Sequence, residues 1–186
     1  MKQTIVKYGF RAGAILSALM VVTLGVGKLV GWEDHGYGGM AVGYTTMVLS
    51  FMLIHFGVRS YRDTVMGGQV RFWPALRVGL LIALIGSACY AVTWQVVSPF
   101  LFPDFAQKYG VQAVKQAEAR GASVAEVQKI RDDMAKFVVM YKNPLYNFGM
   151  TILEPLPVGL LMSLISAGVL SRKRREPLST LGTAMS

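Results

Sequence analysis

The run VGLLIALIGSACYAVTWQVVSPFLFP, Val78 to Pro103, contains no charged residue and no histidine. A helix rises about 1.5 Å per residue, so ~20 apolar residues cross a hydrocarbon core of ~30 Å. This segment is long enough to do so. Three others resemble it. Ala12–Gly27 is uncharged and flanked by Arg11 and Lys28, whose long side chains can snorkel to the interfaces. Gly36–Val58 carries only His55, and Asn143–Ser171 carries a single charge, Glu154. The expected fold is therefore an all-α membrane protein of four transmembrane helices in one membrane domain, at about 8–29, 38–58, 75–102 and 146–171. Segment 104–142 forms a helical hairpin between spans three and four.

Charge distribution sets the expected orientation. The net charge is +9, which by itself would suggest nucleic acid. If the N-terminus is cytoplasmic and the spans alternate, eleven basic residues lie on that side: Lys2, Lys7, Arg11, Arg59, Arg62, Arg71, Arg77, Arg172, Lys173, Arg174 and Arg175. Asp63 and Glu176 oppose them, and the rest of the chain balances eight basic against eight acidic residues. The whole excess sits on one side, as the positive-inside rule describes. The expectation is a multi-pass protein of a bacterial inner membrane with both termini cytoplasmic and the hairpin outside. The basic flanks attract anionic lipid headgroups, and no nucleic-acid partner is expected. The start, Met1-Lys2 followed by an apolar run without a small-x-small cleavage site, reads as a signal anchor.

Local signals place the connections. Gly67-Gly68 predicts a turn, because glycine accepts positive φ. Pro74 suits the first turn of span three. In the hairpin, Asp104 is expected to cap a helix running to Arg120 and Gly121 to end it. Ser123-Val124-Ala125-Glu126 is a capping-box pattern for the next helix. There Val127, Ile130, Met134, Phe137 and Tyr141 form an apolar stripe opposite Gln128, Arg131 and Asp132. The stripe packs on the first hairpin helix, lies on the bilayer, or binds a partner. Glu154-Pro155-Leu156-Pro157 predicts a break in span four, since proline removes a donor and disfavours helical geometry before it. Gly13, Gly25, Gly43, Gly79 and Gly86 suit close helix packing. Residues 11–16 resemble 77–82, and 53–60 resemble 164–171, which would make the chain two parallel helix pairs about an axis along the membrane normal.

Six residues are candidates for function. Glu154, an ionisable group inside a span, leads, with Lys28 as its expected partner. His55 lies about one turn inside span two. Arg59, Arg62 and Asp63 either form an ion pair folding the loop or bind phosphate or lipid headgroups. Glu33-Asp34-His35 offers three adjacent ligand types, but one turn cannot close a metal site. No catalytic, cofactor or metal motif is present, so no cofactor is expected. The lone Cys89 makes no intramolecular disulfide.

Phe56-Gly57-Val58-Arg59-Ser60-Tyr61-Arg62-Asp63, the Gly67-Gly68 turn, Met140-Tyr141-Lys142-Asn143-Pro144 and Leu153-Glu154-Pro155-Leu156-Pro157-Val158-Gly159 resemble a bacterial membrane family, domain of unknown function 4199 (DUF4199). The resemblance covers nearly the whole chain, roughly Tyr8 to Arg174. It implies a bacterial inner-membrane protein and brings no activity with it. The function expected from sequence is a non-enzymatic small transport, lipid-handling or accessory subunit, acting as a homo-oligomer or beside a membrane protein partner. The alternatives are a scaffold whose hairpin binds a partner protein, and an intramembrane enzyme.

Overall fold

The structure is a computed structural model that describes residues 1–30 and 37–172. The Glu33–His35 turn and the basic tail from Lys173 onward lie outside the described residues. All regular elements among the described residues are helices: α1 (Lys2–Val30), α2 (Tyr37–Thr64), α3 (Phe72–Leu101), α4 (Phe105–Ala119), α5 (Val124–Tyr141), α6 (Pro144–Leu153) and α7 (Leu156–Leu170). Among the described residues, four stretches are long and apolar enough to cross a membrane, Lys2–Leu29, Ala41–Thr64, Phe72–Leu101 and Pro144–Leu170.

These four form a bundle centred on α3, which packs against α1, α2, α6 and α7. The register is set where glycines let backbones approach. A Cβ at Gly13 would lie 2.6 Å from the Cys89 Cβ, and one at Gly79 would lie 2.8 Å from the Ser163 Oγ. Gly86 similarly faces Phe51. Gly25 and Gly43, expected to do the same, have nothing within 4 Å. The core between α2, α3 and α7 is built from Phe51, Ile54, Val58, Val78 and Ile82, all buried.

Helices α1 and α3 run parallel, with Gly9 on Ile85, Gly13 on Cys89 and Ser17 on Thr93, each pair 76 positions apart. The internal resemblance between 11–16 and 77–82 has an offset of 66. A twofold along the bundle axis would set those segments at equal height. Instead α1 is shifted by ten residues, roughly 15 Å, towards the hairpin end. Sequence likeness between the helix starts therefore does not translate into matching depth.

Helix α2 continues beyond the expected boundary at Val58 and carries Arg59 to Asp63 on its last turns, where Arg59 and Asp63 pair at i,i+4. The chain leaves it through Gly67 and Gly68, at φ +62° and +90°, as predicted. Gly121, at φ +77°, follows α4, and the Ser123 hydroxyl accepts from the Glu126 amide at 3.3 Å. Asp104 caps nothing with its side chain, because its φ of −101° and ψ of 22° lie outside the extended N-cap geometry. The α5 stripe packs on α4, with Gly110 against Met134 and Tyr109 against Phe137 at 5.7 Å. A run of rings, Trp94, Phe105, Tyr109, Phe137 and Tyr141, ties the hairpin to α3.

Candidate functional site

The break in the fourth span has a specific construction. Helix α6 ends at Leu153 and α7 begins at Leu156. Glu154 nevertheless stays right-handed helical, φ −60° and ψ −53°, and so does Pro155. The expectation that the residue before proline leaves helical geometry is thus corrected. What interrupts the span is the missing amide at Pro155 and Pro157, which deprives the carbonyls of Thr151 and Leu153 of their i+4 donors. Hydrogen bonding resumes with the Gly159 amide on the Pro155 carbonyl at 3.0 Å.

Glu154 projects from this interruption. Its Oε2 accepts a hydrogen bond from the Tyr90 hydroxyl at 3.2 Å, while the residue stays open on one side at the bundle surface. It does not meet Lys28, the partner expected from sequence. Lys28 Nζ donates to the Leu101 carbonyl at 3.4 Å. Leu101 and Tyr90 are eleven residues apart on α3, roughly 16 Å along the helix, and α3 separates α1 from α6. The shift of α1 towards the hairpin end carries Lys28 past the level of the carboxylate.

Around Glu154 the structure gathers polar side chains that the sequence did not single out as a site. Asn147 and Thr151, on the buried face of α6, bond to each other, Thr151 Oγ1 donating to the Asn147 carbonyl at 2.8 Å and to Oδ1 at 3.3 Å. Trp94 Nε1 donates to the Tyr141 hydroxyl at 2.7 Å. Tyr141 lies near Asn147 and Thr151 and close enough to Glu154 to feel its charge. Burial raises the Tyr141 phenol above its ordinary range; hydrogen bonds from Trp94 and Asn147 oppose that, while the Glu154 charge adds to it. Gln95 Nε2 fixes the start of α6 by donating to the Pro144 carbonyl at 2.6 Å. One signal was available in sequence: Tyr90–Trp94 and Asn147–Thr151 are both i,i+4 pairs of hydrogen-bonding residues inside apolar spans, so each pair shares a helix face.

The remaining candidates are elsewhere. His55 packs edge-on to the Phe56 ring, 6.0 Å between centroids, and shares no contact with Glu154. Arg62 Nε pairs with Asp63 Oδ1 at 2.7 Å, and Arg59 Nε lies 3.7 Å from Oδ2. The expected ion pair forms, on the end of α2 instead of in a loop. Among the described residues no three His, Cys, Asp or Glu side chains group as metal ligands would.

A bundle of four apolar helices, one broken at a carboxylate hydrogen-bonded to tyrosine, is the construction of a multi-pass membrane protein. The chain belongs to the protein family of unknown function DUF4199, whose family model matches residues 7–172. No curated protein and no solved structure matches it.

Proposed function

We propose that this is a non-enzymatic subunit of a bacterial inner membrane, acting in small-molecule transport, lipid handling or as an accessory to another membrane protein, with the Glu154 cluster as its working centre. Both termini face the cytoplasm and the hairpin faces outward. The observation that carries the reading is the Tyr90–Glu154 pair at the helix break: a carboxylate inside a span is costly, and this one has no cationic partner among the described residues. Function in an oligomer suits a bundle whose own core is filled with side chains. At the opposite end, Arg59, Arg62, Arg71 and Arg77 suit anionic headgroups.

The test is native mass spectrometry of the protein extracted with its surrounding lipid, comparing wild type with Glu154→Gln. A defined oligomer that retains one lipid or metabolite class, lost in the variant with the fold intact, supports the reading. Identical spectra for the two proteins overturn it.

A second reading, a scaffold for a partner protein, is favoured by the hairpin. Helix α5 has no buried residue, and a groove between α4 and α5 has Gly110, Val111, Val114, Met134 and Val138 as its apolar lining. Removing residues 106–140 should then release a bound protein while leaving the bundle folded.

A further inference from the structure

The surroundings of Glu154 differ sharply along the bundle axis. Towards the hairpin end, one face of α6 presents a hydrogen-bonding side chain on each turn: Asn143 at its exposed start, then Asn147, Thr151 and Glu154, spaced four, four and three residues apart. That spacing is one helix face. Asn143 Oδ1 accepts from the Leu145 amide at 2.9 Å. Asn147 and Thr151 bond to each other, and Tyr141 from α5 lies against both. From α3 the Tyr90 hydroxyl donates to the carboxylate at 3.2 Å. The two carbonyls freed by Pro155 and Pro157 add acceptors where this face of α6 ends.

Towards the basic end the buried polar side chains are single hydroxyls, and those of Ser87 and Ser166 have no hydrogen-bond partner. Below the break lies a groove of Leu80, Ala83, Leu153, Leu156, Pro157 and Leu160. Helix α7 carries no ionisable residue, and its Ser163 hydroxyl is committed to the Gly159 carbonyl at 2.7 Å. The titratable groups facing Glu154 are Tyr90 from α3 and Tyr141 from α5, with no charged group from any packed helix among the described residues.

We propose that Glu154 is a proton-binding site served from the hairpin face alone, along the Asn143, Asn147 and Thr151 face of α6 beside Tyr141, with leucine side chains around the break and only isolated serine hydroxyls towards the basic end. This deepens, and rests on, the reading of Glu154 as the working centre. The step is a simple one: a proton delivered from water at the hairpin face neutralises the carboxylate, which removes the cost of holding a charge in an apolar surrounding.

Dicyclohexylcarbodiimide tests the proposal, since it partitions into lipid and reacts with protonated carboxyl groups, leaving an adduct that mass spectrometry locates on the peptide. The full-length protein is placed in vesicles sorted by orientation, with the pH of each face buffered separately. Acidifying the hairpin face should raise the Glu154 adduct several-fold, and acidifying the basic face should leave it unchanged. The double variant Asn147→Leu, Thr151→Val should flatten the hairpin-face response; Ser166→Ala, remote from that face of α6, should not. A response to the basic face, equal responses to both, or labelling independent of pH would overturn it. This readout needs no knowledge of activity. Sided labelling together with identical native spectra for wild type and Glu154→Gln would uphold the proton site and sink the proposed function alone.

Discussion

Gly79 sits where α3 meets α7, and a side chain there has nowhere to go: its Cβ would stand 2.8 Å from the Ser163 Oγ and 2.9 Å from the Ser163 Cβ. Overpacking of this kind costs about 1–3 kcal/mol, so Gly79→Leu should lower the thermal midpoint of the purified protein clearly. Gly25→Leu, at a position with nothing within 4 Å, should leave it unchanged. Ser166 makes the opposite case. Its hydroxyl is buried without a hydrogen-bond partner, a state that costs about 1–3 kcal/mol. Ser166→Ala should therefore raise the midpoint or leave it level; a clear fall would mean that the hydroxyl has an unseen partner. At this scale the sequence was partly legible. Glu154 stands out because a charge interrupts an apolar run, and Gly13, Gly79 and Gly86 were marked as contacts. Tyr90, Asn147 and Thr151 were not marked, since neutral polar residues are ordinary inside spans. Helix spacing puts Asn147 and Thr151 on the Glu154 face, but only the packing of α3 on α6 brings Tyr90 to the carboxylate.

Among the elements, the hairpin is the least anchored. Helix α5 buries no residue, and its ion pairs, Arg120–Glu126 at 2.7 Å and Arg131–Glu118 at 3.7 Å, are exposed and so worth little. Its hold on the bundle comes from the ring cluster, in which Phe105 lies 5.0 Å from Trp94 and 5.7 Å from Tyr141. Such ring pairs contribute about 0.5–1.5 kcal/mol each beyond their burial. Phe105→Ala should accordingly speed hydrogen exchange across residues 105–141 while the cores of α2 and α3 stay protected. Uniform loosening of all seven helices would show that the hairpin and bundle fold as one unit. The hairpin's limits were readable because Gly121 and Ser123 are local signals that act within a turn. Its docking was not, because it depends on Trp94 and Phe105, which belong to different elements. The helix break was readable for a similar local reason: two prolines remove two amides whatever surrounds them.

At the scale of the whole molecule, the prediction concerns which face of the membrane each end occupies, and it rests on charge. The end formed by the start of α1, the end of α2 and the start of α3 holds Lys2, Lys7, Arg59, Arg62, Arg71 and Arg77, with Asp63 the single acid among them. Moving so many cations across a bilayer in short segments is what the positive-inside rule forbids. The shift of α1 sets the depth of Lys7 and Arg11. It carries Lys7 and Arg11 alongside the apolar part of α3, and both side chains lie over the Tyr8 ring, 5.9 Å from its centroid. Arg11 thus reaches back a turn towards the basic end, the direction a snorkelling cation takes when its own end faces the nearer water. That shift was invisible in sequence, because a likeness between helix starts fixes no depth. Replacing Cys89 with serine leaves a chain without cysteine, in which Ala119→Cys marks the hairpin and Met66→Cys the basic end; both positions are exposed. A membrane-impermeant maleimide should label Ala119→Cys in intact cells and reach Met66→Cys only after permeabilisation. The reverse pattern would place the basic end outside, against the charge argument, and would turn the polar face of α6 above Glu154 towards the cytoplasm.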